Sequence, residues 1–220
     1  MRPETERTQR LRVTFTKGDE VKYISHLDLM RLWERALRRA NMPLLYSKGY
    51  NPRPKISIAA PLAVGITGER EVMDVALERP IAPMDFATGV GRQLPQGVSL
   101  VEVEEAYASL PSLQSQVRSA EYLVTLEAQQ TGEEMRNRVA SLLRSERLPR
   151  QRRDKTYDLR PLIESISLKE KDSEQYVLRM RLRTGERGTG RPDEVLRELG
   201  LEDLAKGVTR TQLHFAPRED

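Results

Sequence analysis

The stretch that decides the fold is SHLDLMRLWERALRRAN, at residues 25–41, a helical pattern preceded by Ser25. Apolar side chains recur in it every three or four positions, which is typical of a helix with one buried face. Ser25 precedes the pattern and Asp28 follows three positions later, so we predict an acidic variant of the capping box at the helix start. A helical wheel then separates two arcs of side chains. The apolar arc contains Leu29, Met30, Trp33, Ala36, Leu37 and Ala40, and the opposite arc contains Arg31, Arg35, Arg38 and Arg39.

Strand patterns flank this helix and predict a β-α-β-β-α-β order in the first half of the chain. Alternating apolar and polar residues, or short apolar runs between turn residues, indicate four strands. A weaker helical pattern indicates a second helix. The strands cover residues 11–15, 55–60, 72–77 and 98–104, and the second helix covers residues 83–94.

The second half of the chain repeats the same order of patterns. Its strands cover residues 121–128, 176–183 and 208–215, an extended segment broken by Pro161 covers residues 157–168, and its helices cover residues 132–144 and 192–199. We therefore predict an α+β fold made of two tandem ferredoxin-like (βαββαβ) modules with antiparallel sheets. The predicted modules are residues 1–106 and 118–220, and a polar linker with one proline joins them at residues 107–117.

The composition excludes several classes of site. The 220 residues include no cysteine and two histidines, His26 and His214. Disulfides, thiolate zinc sites and cysteine-ligated iron–sulfur clusters are therefore excluded, and we predict no metal site and no cofactor. The uncharged apolar runs are shorter than the roughly 20 residues of a membrane span, and the first residues lack the apolar segment of a signal peptide. We expect a cytoplasmic protein with no membrane contact.

Positive charge is concentrated in two segments, although the net charge is only +4. Residues 22–55 contain eight basic and two acidic side chains, and residues 144–160 contain seven basic and three acidic ones. Each segment spans the first helix, or its end, and the loop after it in its own half. We expect one positive surface if the halves pack together, and phosphates would bind it through counterion release. The alternative is that the helix arginines form only a solvated outer face.

The loop YSKGYNPRPK, at residues 46–55, adds tyrosines and cations to the first basic segment. Gly49 permits a positive φ, and Pro52 and Pro54 restrict the backbone, so we expect the loop to be stiff. Tyrosines in such a loop can stack on bases while its cations contact phosphates. The predicted nucleic-acid-binding residues are Arg38, Arg39, Tyr46, Lys48, Tyr50, Arg53, Lys55, Arg150, Arg152 and Arg153. A structural crossover that protects a sheet edge is the alternative interpretation of the loop.

His26 is the one candidate catalytic residue, because it stands at the helix start beside Ser25 and Asp28. A general base needs a carboxylate that orients its ring and a substrate proton within reach. A lone histidine at a helix start is more often a capping or packing residue. We therefore favour a chain that is not an enzyme.

Five motifs resemble those of a known family. They are YISHLDLMR with ERALRRA at residues 23–40, GYNPRPKIS at 49–57, APLAVG at 60–65, DLRPL at 158–162 and TGRPD at 189–193. With them the chain resembles the radical SAM-linked protein family, a domain of unknown function fused to, or encoded beside, a radical SAM protein with a cobalamin-binding-type region. The resemblance implies a radical SAM protein as partner. Arg53 departs from the family pattern, since many members have histidine at this position.

These observations predict a non-catalytic accessory protein of a radical SAM enzyme that binds structured RNA, either tRNA or rRNA, on a basic face. The radical SAM cluster would belong to a separate subunit, because this chain has no cysteine to ligate it. One alternative is a protein-interaction subunit that docks the radical SAM partner through Asn51, Pro52 and Arg53 and binds no nucleic acid. Another is an RNA-modifying or RNA-cleaving enzyme that uses His26 as general acid–base, with Lys55 or Arg53 stabilising negative charge.

Overall fold

The structure is a computed structural model and describes residues 8–107, 111–127, 131–152, 155–172, 175–185 and 188–217. The chain divides into two units, Met1–Gln116 and Val117–Asp220. Each unit combines an antiparallel sheet with helices, so the predicted α+β architecture is confirmed.

The elements of the first unit follow the predicted β-α-β-β-α-β order. They are β1 (Gln9–Lys17), α1 (His26–Arg39), β2 (Ile56–Ile58), β3 (Thr67–Leu77), α2 (Pro83–Gly91) and β4 (Val98–Ala106). The strands lie in the order β4-β1-β3-β2, and each neighbouring pair is antiparallel. A short helix, α3 (Leu113–Gln116), ends the unit.

The core of the first unit lies between its sheet and its two longer helices. Leu11, Val13 and Phe15 alternate along β1 and are completely buried. Trp33 of α1 meets Phe15 edge-on with ring centroids 5.0 Å apart, and Phe86 of α2 belongs to the same core. An edge-to-face pair of this kind adds about 0.5–1.5 kcal/mol beyond the burial of its area. The apolar arc predicted for α1 is therefore its buried face, as expected.

The start of α1 has the predicted cap. The backbone N–H of Asp28 donates to the Ser25 hydroxyl oxygen at 3.1 Å, and the Ser25 hydroxyl donates to the Asp28 carboxylate at 2.7 Å. This hydroxyl lowers the pKa of Asp28 below its ordinary value. A second helix start, Thr131 before α4, forms a complete capping box with Glu134.

The opposite face of the first sheet carries a buried ion pair. The Arg12 guanidinium on β1 donates to both carboxylate oxygens of Asp74 on β3, at 2.9 Å and 3.2 Å. Arg10 Nε lies 3.8 Å from the same carboxylate, whose side chain is only 5% exposed. Since Arg12 and Asp74 stand directly opposite each other in the ladder, their pairing ties β1 to β3 in this register.

Residues after β4 pack against the first unit. The Tyr107 carbonyl accepts from the Arg10 guanidinium at 2.6 Å, and the Gln114 side chain donates to the Ser57 hydroxyl and to the Ile58 carbonyl. Leu113 is buried. Tyr107, Leu113 and Gln114 of the predicted 107–117 linker thus belong to the first unit, and β5 begins at the last residue of that range.

The second unit contains a four-stranded sheet, two longer helices and a separate hairpin. Its elements are β5 (Val117–Glu127), α4 (Gly132–Arg144), β6 (Pro149–Arg152), β7 (Lys155–Asp158), β8 (Ile163–Asp172), β9 (Gln175–Arg183), α5 (Pro192–Leu199) and β10 (Ala205–Phe215). The strands β10-β5-β9-β8 form an antiparallel sheet, and β6 pairs with β7 separately. The prediction of a loop after the first helix of this half is wrong for residues 149–152 and 155–158, because they form the paired strands β6 and β7.

The DLRPL and TGRPD motifs hold the second unit together. The Asp158 carboxylate accepts from the backbone N–H groups of Leu148 and Arg160, which lower its pKa. The Arg160 guanidinium donates to the Leu143 carbonyl at the end of α4 at 2.9 Å and 3.2 Å. A Cβ at Gly190 would lie 3.1 Å from the Leu162 carbonyl oxygen, so the two motifs pack closely.

The buried carboxylate on β3 provides a test of this fold. Asp74→Ala removes the buried carboxylate that accepts both hydrogen bonds from Arg12, and we expect it to lower the free energy of unfolding by about 3–5 kcal/mol. Glu102→Ala is the matched control, because it breaks the exposed Arg70–Glu102 pair of the first unit and is expected to change stability by about 1 kcal/mol or less. Urea denaturation followed by circular dichroism measures both. Equal effects of the two substitutions would contradict the structural role of Asp74.

Candidate nucleic-acid interface

The outer face of α1 carries the predicted arginines. Arg31 pairs with Asp28 at 3.1 Å. Arg35, Arg38 and Arg39 are exposed, and within the described residues none of the three forms an ion pair. Arg38 and Arg39 occupy the last turn of the helix, where the helix dipole favours positive charge. Because the opposite face of the helix is buried, the predicted binding residues Arg38 and Arg39 face solvent.

The loop after α1 is closed at its base and anchored to β3. Tyr46 and Pro54 form an isolated β-bridge, and the Ser47 N–H donates to the Arg53 carbonyl at 2.9 Å. Leu45 and Lys55, the residues next to this bridge, bind β3: the Leu45 N–H donates to the Ala76 carbonyl at 2.9 Å, and the Ala76 N–H donates to the Lys55 carbonyl at 3.0 Å. Both ends of the loop are therefore held by the central sheet of the unit.

The tip of this loop presents polar and aromatic groups to solvent. Gly49 has φ +136°, a conformation that residues with a Cβ rarely adopt, and the Tyr50 side chain next to it is 100% exposed. Five other loop residues are also exposed, and among the described residues none of the cations in this group has an ion-pair partner. They are Lys48, Asn51, Pro52, Arg53 and Lys55.

Tyr46 has a different environment from Tyr50. It is half-buried and packs against the hydrophobic core of the first unit. Its ring therefore supports the base of the loop, and Tyr50 is the predicted stacking residue whose ring is accessible.

The β6–β7 hairpin carries part of the second basic segment. Arg150 forms an ion pair with Glu198 of α5, so this cation already has an acidic partner. Arg152 is exposed at the end of β6, and Lys155 begins β7. Arg153 lies outside the described residues. Burial, together with the neighbouring Glu194 carboxylate, raises the pKa of Tyr157 in this hairpin to about 12.

His26 is half-buried at the first position of α1. Its Nδ1 atom is buried and has no hydrogen-bond partner, and in the described part of the chain no carboxylate binds its ring. The orienting acid that a general base needs is therefore missing from this arrangement. Across the described ranges, no three or more His, Asp or Glu side chains are grouped so that they could hold a metal ion.

A row of arginines in the second unit was not among the predicted site residues. Arg179, Arg181 and Arg183 alternate with buried apolar residues along β9 and point to the other side of the strand. The hydrogen bond from Arg179 lowers the pKa of Glu121, which also contacts His214 Nε2 at 2.8 Å. The signal was present in the sequence as the alternation of residues 176–183, but it served there only to predict a strand.

No helix in the described ranges combines the length and the apolar character required to cross a membrane.

Comparison with solved structures finds matches of low sequence identity. A chain from the crystal structure of a Cbf5–Nop10–Gar1 complex matches over 91% of this chain with a TM-score of 0.50 and 10% identity. A chain from the archaeal box H/ACA sRNP Nop10–Cbf5 complex matches over 94% with a TM-score of 0.46 and 14% identity. A third, from an H/ACA RNP bound to a substrate RNA containing 2′-deoxyuridine, matches over 91% with a TM-score of 0.46 and 9% identity.

This chain spans about half the length of those solved chains, 48%, 49% and 47% respectively. Because the identity is only 10%, the match to the chain from the Cbf5–Nop10–Gar1 complex shows similarity of fold and nothing more. No curated protein matches the sequence. A family model described as an uncharacterized protein conserved in bacteria, DUF2344, matches residues 10–192. The chain therefore belongs to the DUF2344 family.

Proposed function

We propose that this chain is a non-catalytic accessory protein that binds structured RNA, such as tRNA or rRNA, through the exposed cations of its first unit. The observation that carries the proposal is the anchored loop, in which a fully exposed Tyr50 stands between Lys48 and Arg53. A loop closed by backbone hydrogen bonds loses little conformational entropy on binding. A tyrosine ring can stack on a base while its neighbouring cations contact phosphates.

The charges around the loop support the same proposal. Residues 40–45 connect the cationic end of α1 to the base of the loop, and both groups of cations belong to the first unit. None has an acidic partner among the described residues: Arg35, Arg38, Arg39, Lys48, Arg53 and Lys55. A merely solvated helix face usually mixes both signs of charge, and phosphate binding explains their separation.

We further infer that each unit is a ferredoxin-like module. The antiparallel order β4-β1-β3-β2 of the first unit, with two helices sharing one core, supports this inference. The order β10-β5-β9-β8 supports it for the second unit, in which the β6–β7 hairpin is an insertion before the second strand. The boundaries 1–106, 107–117 and 118–220 remain predictions.

The radical SAM enzyme enters as the proposed partner through the family resemblance of the motifs. An accessory chain of this kind would hold RNA for a partner that carries the cysteine ligands of the cluster, since its own sequence contains no cysteine. Cytoplasmic location is part of the same proposal.

Charge removal on the first unit tests RNA binding. We expect Lys48→Gln with Arg53→Gln to weaken tRNA binding and to reduce the slope of log affinity against log salt by about one for each phosphate that is no longer neutralised. Arg92→Gln removes an exposed cation at the end of α2 in the same unit and should leave the slope unchanged. Fluorescence anisotropy at several salt concentrations measures the slopes. Binding that does not respond to salt, or equal slopes in both variants, would refute the proposal.

Tyr50→Ala tests stacking separately from charge. We expect a loss of about 1–3 kcal/mol of RNA binding free energy, because one base loses its aromatic partner. The melting temperature should not change, since the ring contacts solvent only. Tyr107→Ala is the matched control, because Tyr107 is another exposed tyrosine of the same unit. An equal loss in the control, or full affinity in Tyr50→Ala, would exclude a stacking role for this ring.

A second candidate function is docking of the radical SAM partner without nucleic acid. The exposed Asn51 and Pro52 at the loop tip favour it, because their side chains have no described partner within the chain. Under this function the two proteins co-purify after nuclease treatment, and Asn51→Ala disrupts the complex. Asn51 is the informative position because its substitution leaves the net charge unchanged. A complex that nuclease dissolves would instead favour RNA binding.

A further inference from the structure

The outward face of β9 carries a row of guanidinium groups. Tyr176 contacts the start of α4 and Leu182 is approached by the segment before α5, so the apolar side chains of β9 face the helices. Arg179, Arg181 and Arg183 point to the opposite face, with exposed side-chain fractions of 61%, 40% and 55%. Alternate residues on a strand are about 6.6 Å apart. We call these three residues the arginine ladder.

Two carboxylates hold the arginine ladder in place. Glu164 on β8 lies 2.9 Å from Arg181 Nε and 3.5 Å from Arg183 Nε. Glu121 on β5 accepts from Arg179 Nη2 at 2.7 Å and from its Nε at 3.2 Å. The acids therefore bind mainly the Nε side of each guanidinium. These contacts fix the rotamers of long side chains that would otherwise be mobile.

The outer edges of the ladder retain hydrogen-bonding capacity. A guanidinium has five N–H donors in a planar fork that matches phosphate oxygens. In the part of the chain that the structure describes, the Nη groups of Arg181 and Arg183 make no hydrogen bond. Exposed ion pairs of this kind contribute about 0–1 kcal/mol to stability, so stability alone is a weak reason for the arrangement.

The neighbouring strand extends the same surface with small polar groups. Ser165 and Ser167 on β8 stand opposite Arg181 and Arg179 and are exposed. The next outward residue, Lys169, is an exposed cation. Hydroxyl groups beside a row of guanidinium groups suit a ligand that alternates phosphates with sugar hydroxyls.

We propose that the helix-free face of the β8–β9–β5 sheet is a second RNA-binding surface, on which the arginine ladder contacts successive phosphates of an extended single strand. The proposal rests on the proposed function only in taking RNA as the ligand, and it uses residues of the other unit. The even spacing of the three arginines along one strand favours an extended backbone over a duplex. Recognition through phosphates makes this surface insensitive to base sequence.

Removal of the shared acid gives the sharpest test. Glu164→Gln in the full chain releases two arginines from their carboxylate, and we expect several-fold tighter binding of a fluorescent oligouridylate with a steeper salt dependence. Arg183→Gln should weaken binding several-fold. The matched controls are Glu202→Gln and Arg197→Gln, which make the same charge changes in an exposed pair at α5. Equal shifts in the controls would show a net-charge effect and overturn the proposal.

The same assay separates this inference from the proposed function. If Lys48→Gln with Arg53→Gln weakens binding of tRNA while the ladder variants change neither tRNA nor oligouridylate binding, the ladder proposal fails and the first-unit site stands. If only the ladder variants respond, the first-unit site fails. Polyglutamate serves as competitor, and displacement of oligouridylate at equal charge concentration would assign the ladder to acidic peptides and overturn the proposal. Thermal melts of each variant establish that it is folded.

Discussion

The packing of Trp33 against Phe15 is the contact on which the candidate interface of the first unit depends. Both side chains are completely buried, and they fix the rotation of α1 about its own axis relative to the sheet. A helix whose apolar arc is held in this way has one possible outward face, and Arg35, Arg38 and Arg39 occupy it. The accessibility of these cations is thus a consequence of core packing.

Strand β3 supports the other half of that interface. Its Ala76 binds both ends of the loop through backbone hydrogen bonds, while Asp74, two residues earlier, holds β1 through the buried pair with Arg12. The side chains at the loop tip are exposed, and within the described residues its cations Lys48 and Arg53 form no ion pair. Because the base of the loop is bound to β3 and Tyr50 at its tip is fully exposed, this short loop presents an aromatic ring at low entropic cost.

The sequence predicted the parts of the fold and of the candidate site that depend on local patterns. The buried arc of α1, its Ser25 cap and the order of strands followed from periodicity and capping residues. The β6–β7 hairpin was missed because residues 149–158 contain few apolar side chains, so no alternation marks them. Tyr46 and Tyr50 were assigned to one loop, but the bridge between Tyr46 and Pro54 decides which ring packs inward. That bridge depends on β3, and no local pattern encodes such a long-range contact.

The cations of α1 and the following loop would bind a polyanion in a different way from the arginine ladder. Arg35, Arg38, Arg39 and the cations of the loop have no acidic partner in the described structure, so each contributes its full charge and loses rotamer freedom when it binds. The arginine ladder is partly neutralised by its carboxylates but is already ordered. The first set therefore favours long-range attraction and a steep salt dependence, whereas the second favours defined geometry along a strand. A protein that carried both would capture RNA through the first unit and align a single-stranded segment on the second.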